Sequence, residues 1–146
     1  MNFYRIYEEN MKKEDFEKLK KLTESKIKFS EETISQKLVE VPLLYCTYLD
    51  LFVRENKELA NLKLKKDSLY SDIYKNLKFY SPERWGTKNE IESQMFSNPQ
   101  YKLAVSEIND QQEIVTYLEQ TLENIKSLSF NIKHYIEWTK FQHGER

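Results

Sequence analysis

The sequence predicts an all-α fold: a long antiparallel helical hairpin with coiled-coil character, preceded by a short N-terminal helix. Three observations predict it. Only two glycines and three prolines punctuate 146 residues, too few for the turns of a multistranded fold. Charged residues make up 32% of the chain, as long solvated helices require. Two stretches, each about 40 residues and on the order of 60 Å as helix, repeat their apolar positions every seven residues. The length fits a single helical domain, 1–146. It divides into an N-terminal helical arm (1–41), a long helix (42–80), a connector (81–99) and a second long helix (100–143).

The arm holds a weak amphipathic helix from about Lys12 to Glu24, with Phe16, Leu19 and Leu22 at helical spacing. Ser30 follows as an N-cap. Pro42 either starts the first long helix or kinks it. Beyond it one row reads Tyr45, Phe52, Leu59, Lys66, Ile73, Tyr80, and its partner row Tyr48, Glu55, Leu62, Leu69, Asn76. Pro82 and Gly86 end that seam. The second seam is cleaner: Tyr101, Ile108, Val115, Leu122, Ser129, Ile136 beside Ala104, Gln111, Leu118, Ile125, Ile132, Thr139. Pro99 precedes it and Gly144 follows it, the residues expected at a helix start and stop.

A two-helix hairpin cannot cover every apolar position. Leu103, Val105, Ile114, Tyr117, Leu128, Tyr135 and Trp138 lie off the seam, and a helix apolar over more than one stripe needs more than one neighbour. The sequence therefore predicts a homo-oligomer, a ring, with Ile132, Ile136, Trp138 and Phe141 in subunit contacts. The alternative is a monomeric three-helix bundle in which the short helix covers these faces.

With 23 basic against 24 acidic residues, a globally basic nucleic-acid binder is excluded, and any such site must come from local asymmetry. Between Lys57 and Lys88 eight basic residues meet four acidic ones, a net of +4. Between Tyr101 and Ile125 one lysine meets five carboxylates, a net of −4. The basic stretch is also rich in aromatics: Tyr70, Tyr74, Phe79, Tyr80 and Trp85. Ammonium groups track phosphates, and rings stack on unpaired bases, so this mixture suits single-stranded DNA. Candidate contacts are Lys63, Lys65, Lys66, Tyr74, Lys75, Lys78, Arg84, Trp85 and Lys88. The plain alternative is a solvated face paired with the acidic helix.

Catalysis finds no support. His134 and His143 stand nine apart, without the spacing of a helical metal pair. Cys46 is the single cysteine, which fits a reducing compartment and excludes an internal disulfide. No phosphate cradle, signal peptide or membrane span is written in the chain. A cytoplasmic protein without enzymatic activity, cofactor, metal or membrane contact is expected.

The C-terminal run Phe130-x-Ile132-Lys133-x-x-Ile136-x-Trp138-x-Lys140-Phe141-x-x-Gly144 closely resembles the signature of the UvsY-type recombination mediators of tailed phages. The resemblance covers Phe29 to Gly144. It includes the lead-in Val41-Pro42-Leu43-Leu44-Tyr45-Cys46 and the helix end Leu77-Lys78-Phe79-Tyr80-Ser81. There the family's usual glycine is replaced by Pro82, and the basic density before the aromatic pair is reduced to Lys75 and Lys78. The resemblance implies a phage protein of host cytoplasm, small, helical and homo-oligomeric. Such a protein binds single-stranded DNA in recombination and repair. It helps a RecA-like recombinase displace a single-strand-binding protein and load onto the strand. A structural coiled-coil scaffold or assembly chaperone without DNA binding is the competing class.

Overall fold

A computed structural model describes residue 11 and residues 13–81 and 86–144. Among these residues four α-helices follow one another: α1 (Lys13–Ile27), α2 (Ile34–Lys75), α3 (Lys88–Phe96) and α4 (Pro99–Gln142). A 3-10 turn (Glu31–Thr33) precedes α2, and a π-helical turn (Asn76–Tyr80) extends it. Among the described residues there is no strand.

Local chemistry sets several boundaries. At Ser30 the backbone N–H donates to Thr33 Oγ1 (2.9 Å), closing the turn that leads into α2. The long helix then begins at Ile34 rather than at Pro42, and Pro42 sits inside it on an exposed face. Proline leaves the carbonyl one turn back without its helical donor, a loss that water can make good on an exposed face. Asn98 caps α4: its Oδ1 accepts from the Gln100 and Tyr101 N–H groups (2.9 and 3.3 Å), with Pro99 as the first helical residue. Gly144, at φ 69°, closes the other end, its N–H donating to the Phe141 carbonyl (3.2 Å).

The described residues group into two compact units. One comprises the residues up to Glu55 and those from Ile114 onward; the other is Asn56–Glu113. In the first, α1, the start of α2 and the end of α4 share one core. Phe16 and Leu19 meet Val41, Tyr48 and Leu51, together with Ile114, Leu118, Leu122, Ile125, Leu128 and Ile132. Both predicted rows of α4 contribute, and Ile114 and Leu128 add a further stripe. That stripe has a second neighbour in α1: Phe16 packs edge-on against Tyr117 (5.3 Å between ring centres). Phe29, just after α1, does the same to Tyr135 (5.9 Å). So part of the off-seam apolar surface is covered within the chain. Lys37 ties α2 to the end of α1 by donating to the Lys26 carbonyl (2.9 Å). Buried Glu55, a polar member of the predicted seam, takes Nε and Nη2 of Arg54 on one carboxylate oxygen (3.0 and 2.6 Å).

In the second unit, Leu59 and Ile73 of α2 are buried, as are Ile91 and Met95 of α3. The helix α3 lies inside the predicted connector. Its start is a reciprocal capping box: Glu90 N–H donates to Thr87 Oγ1, while the Glu90 carboxylate accepts from the Thr87 backbone N–H. The two long helices run antiparallel in each unit. Lys126 Nζ lies over the Tyr45 ring in the first, and Tyr70 meets Tyr101 in the second.

Candidate nucleic-acid interface

The described candidates for DNA contact all fall in the second unit, on the last third of α2, its π turn and α3. Lys63, Lys65, Lys75, Lys78 and Lys88 are exposed, and Lys66 and Tyr74 are half-buried. Arg84 and Trp85 lie outside the described residues. At about 100° per helical residue, Lys63, Lys66, Tyr70 and Tyr74 share one face of α2, whereas Lys65 and Lys75 turn to the other side. The basic stretch is thus two surfaces rather than one. Lys78 leans over the Phe79 ring (5.3 Å from its centre) at the π turn, where Phe79 and Tyr80 are also exposed. Lys88 approaches Glu92 (3.7 Å) from a largely exposed position, a weak pairing that leaves its charge available.

The face shared by lysines and tyrosines carries further rings that the sequence did not single out. Tyr70 and Tyr74 stack nearly parallel (6.2 Å, 11°). Tyr70 also meets Tyr101 (6.4 Å, 60°), and Tyr101 meets Phe96 (5.6 Å, 57°). The Tyr70 hydroxyl donates to the Glu92 carboxylate (3.1 Å). Burial first, and that bond second, push the Tyr70 phenol above its usual range, so it remains a neutral donor. Tyr101 belongs to the predicted α4 seam, and Phe96 to the predicted connector. Tyr101 meets Tyr70 through the pairing of α2 with α4, and Phe96 joins Tyr101 from α3, which was not foreseen although Thr87 and Glu90 carry the spacing that signals a helix start.

The four oligomerisation candidates separate by exposure. Ile132 has no accessible surface and lies in the core of the first unit. Ile136 is partly buried against that core. Trp138 and Phe141 are 56% and 82% exposed. Phe130 joins them on the outer face, edge-on to His134 (4.3 Å). A second apolar stripe, Val39, Leu43 and Val53, lies exposed along α2 with Cys46 between them. Among the described residues no group of acidic, His and Cys side chains could hold a metal, and no helix is long and apolar enough to cross a membrane.

An all-α chain with paired long helices and an exposed lysine-aromatic face is the class of protein defined so far. Residues 22–145 match the family model described as "Recombination, repair and ssDNA binding protein UvsY", and the chain belongs to that family. The fold agrees with crystal structures of the bacteriophage T4 recombination mediator protein UvsY. One lattice form aligns with a TM-score of 0.79 at 16% identity, covering 90% of this chain and 99% of that one. A second gives 0.77 at 16% identity over 92% and 99%. No curated protein sequence matches.

Proposed function

We propose that this protein is a recombination mediator that binds single-stranded DNA as a homo-oligomer. It helps load a RecA-like recombinase onto strands coated by single-strand-binding protein. The observation that carries the reading is the family match over residues 22–145. The exposed lysines of α2 and its π turn supply the chemistry: they neutralise phosphates without reading sequence. One copy of a stretch of net +4 is weak, and repetition around a ring multiplies it by avidity. Exposed Trp138 and Phe141 supply apolar surface for such repetition.

The test is a salt titration of binding to a labelled oligonucleotide. Each neutralised phosphate contributes about −0.7 to the slope of log affinity against log salt for single strands. Removing Lys75 and Lys78 together is expected to flatten the slope and weaken binding to all sequences alike. An unchanged slope would move the role to Lys63, Lys65 and Lys66. Indifference at those three as well would leave the basic stretch a solvated face. A scaffold without DNA binding would show no salt-sensitive affinity at all. Recombinase loading is read as the rate of filament growth on a coated strand, with and without the protein.

A further inference from the structure

We infer that Tyr70, Tyr74, Phe96 and Tyr101 form a platform on which unpaired bases stack, with Lys63 and Lys66 of the same α2 face holding the adjoining phosphates. The inference rests on the proposed DNA binding and assigns it a base-contacting surface built from three helices. The four rings form a continuous chain of contacts, none longer than 6.4 Å between centres. None of the four rings is buried, and Phe96 is 52% exposed, so ring faces remain open to a ligand.

The arrangement has the properties that sequence-independent stacking requires. Every base has a π-face, so a ring with an open face accepts any of them. The Tyr70 and Tyr74 rings are already near-parallel, and the bond from Tyr70 to Glu92 fixes the inner one. A base can extend that stack on the outer side of Tyr74. The charges give the platform a direction. Lys66 and Lys63 lie one and two turns before Tyr70 on α2, while Glu92 of α3, which accepts from the Tyr70 hydroxyl, repels phosphate. The strand's backbone therefore runs on the lysine side, with its bases turned towards the rings.

The test compares two labelled oligonucleotides of equal length, one of thymidines and one of abasic sites, by fluorescence anisotropy on the full chain. The parent is expected to bind the thymidine strand more tightly. Tyr74→Leu and Phe96→Leu keep apolar bulk but remove the π-face. Together they are expected to weaken thymidine binding by roughly 5- to 150-fold, which is about 1–3 kcal/mol per stacked base converted to affinity. Abasic binding and the salt slope should stay as in the parent, and Tyr74→Phe should retain full affinity. Equal affinity of the parent for both strands would overturn the platform while leaving phosphate binding intact. Equal losses on both strands would also overturn it, since they report damage to the fold. If the parent binds neither strand, the proposed DNA binding fails and the platform fails with it.

Discussion

Tyr48 shows how one hydroxyl can fix a helix. Thr23 is buried and donates its proton to the Leu19 carbonyl (2.8 Å), so the hydrogen bond between Thr23 and Tyr48 must be donated by the tyrosine. That bond joins α1 to α2 inside the core. Tyr48→Phe leaves Thr23 Oγ1 without this donor and is expected to cost about 0.5–1.5 kcal/mol, measured by denaturant unfolding. Burial pushes the Tyr48 phenol from 10.0 up to about 12. The folded state thus holds this proton more tightly than the unfolded chain. Its contribution is complete below pH 10 and is lost as pH rises towards 12. Tyr48→Phe is expected to make unfolding less steep across that alkaline window.

At the scale of the element, α3 is the most informative. The Glu90 carboxylate accepts from the Gly86 and Thr87 N–H groups (3.0 and 3.1 Å), which hold its pKa below the usual 4.5. A depressed carboxylate stabilises above its unfolded value and loses that contribution as pH falls through the folded one. The start of α3 is therefore expected to loosen below about pH 4.5. Thr87→Ala should loosen it at neutral pH, by about 1 kcal/mol. Amide hydrogen exchange at residues 88–91 reads both. The long helices were legible because a seven-residue repeat persists across tens of residues, as Leu118, Ile125 and Ile132 show. The start of α2 was not, because Pro42 reads as a boundary and only its exposed placement makes it tolerable inside a helix. Thr87 and Glu90 carried a readable signal that a short, weakly amphipathic segment obscured. The ring cluster was illegible for another reason: Tyr70 and Tyr101 meet only through the pairing of distant helices.

For the whole molecule, exposure separates stability from assembly. Ile132 is fully buried within the protomer, so Ile132→Ala is expected to cost about 2–5 kcal/mol of folding stability. Trp138 and Phe141 contribute little to the protomer's own core. Trp138→Ala with Phe141→Ala is therefore expected to lower the mass seen by light scattering at micromolar concentration while leaving helical content unchanged. A parent that is already monomeric would refute the assembly. An unaltered oligomer in the double variant would instead direct attention to Val39, Leu43 and Val53 on α2.

The π turn at Asn76–Tyr80 also bears on what lengths of chain this protein tolerates. A π turn holds one residue more than an α-helical turn of the same hydrogen-bonded ladder. Removing Asn76 would let regular helix continue to Tyr80 and leave every position before it undisturbed. Removing Ser68 instead would rotate all that follows in α2 by about 100° and take Ile73 out of its buried position. Two chains of equal length should thus differ widely in melting temperature, with the one lacking Asn76 near the parent. The turn is a place where a residue can be gained or lost without re-registering the helix pair.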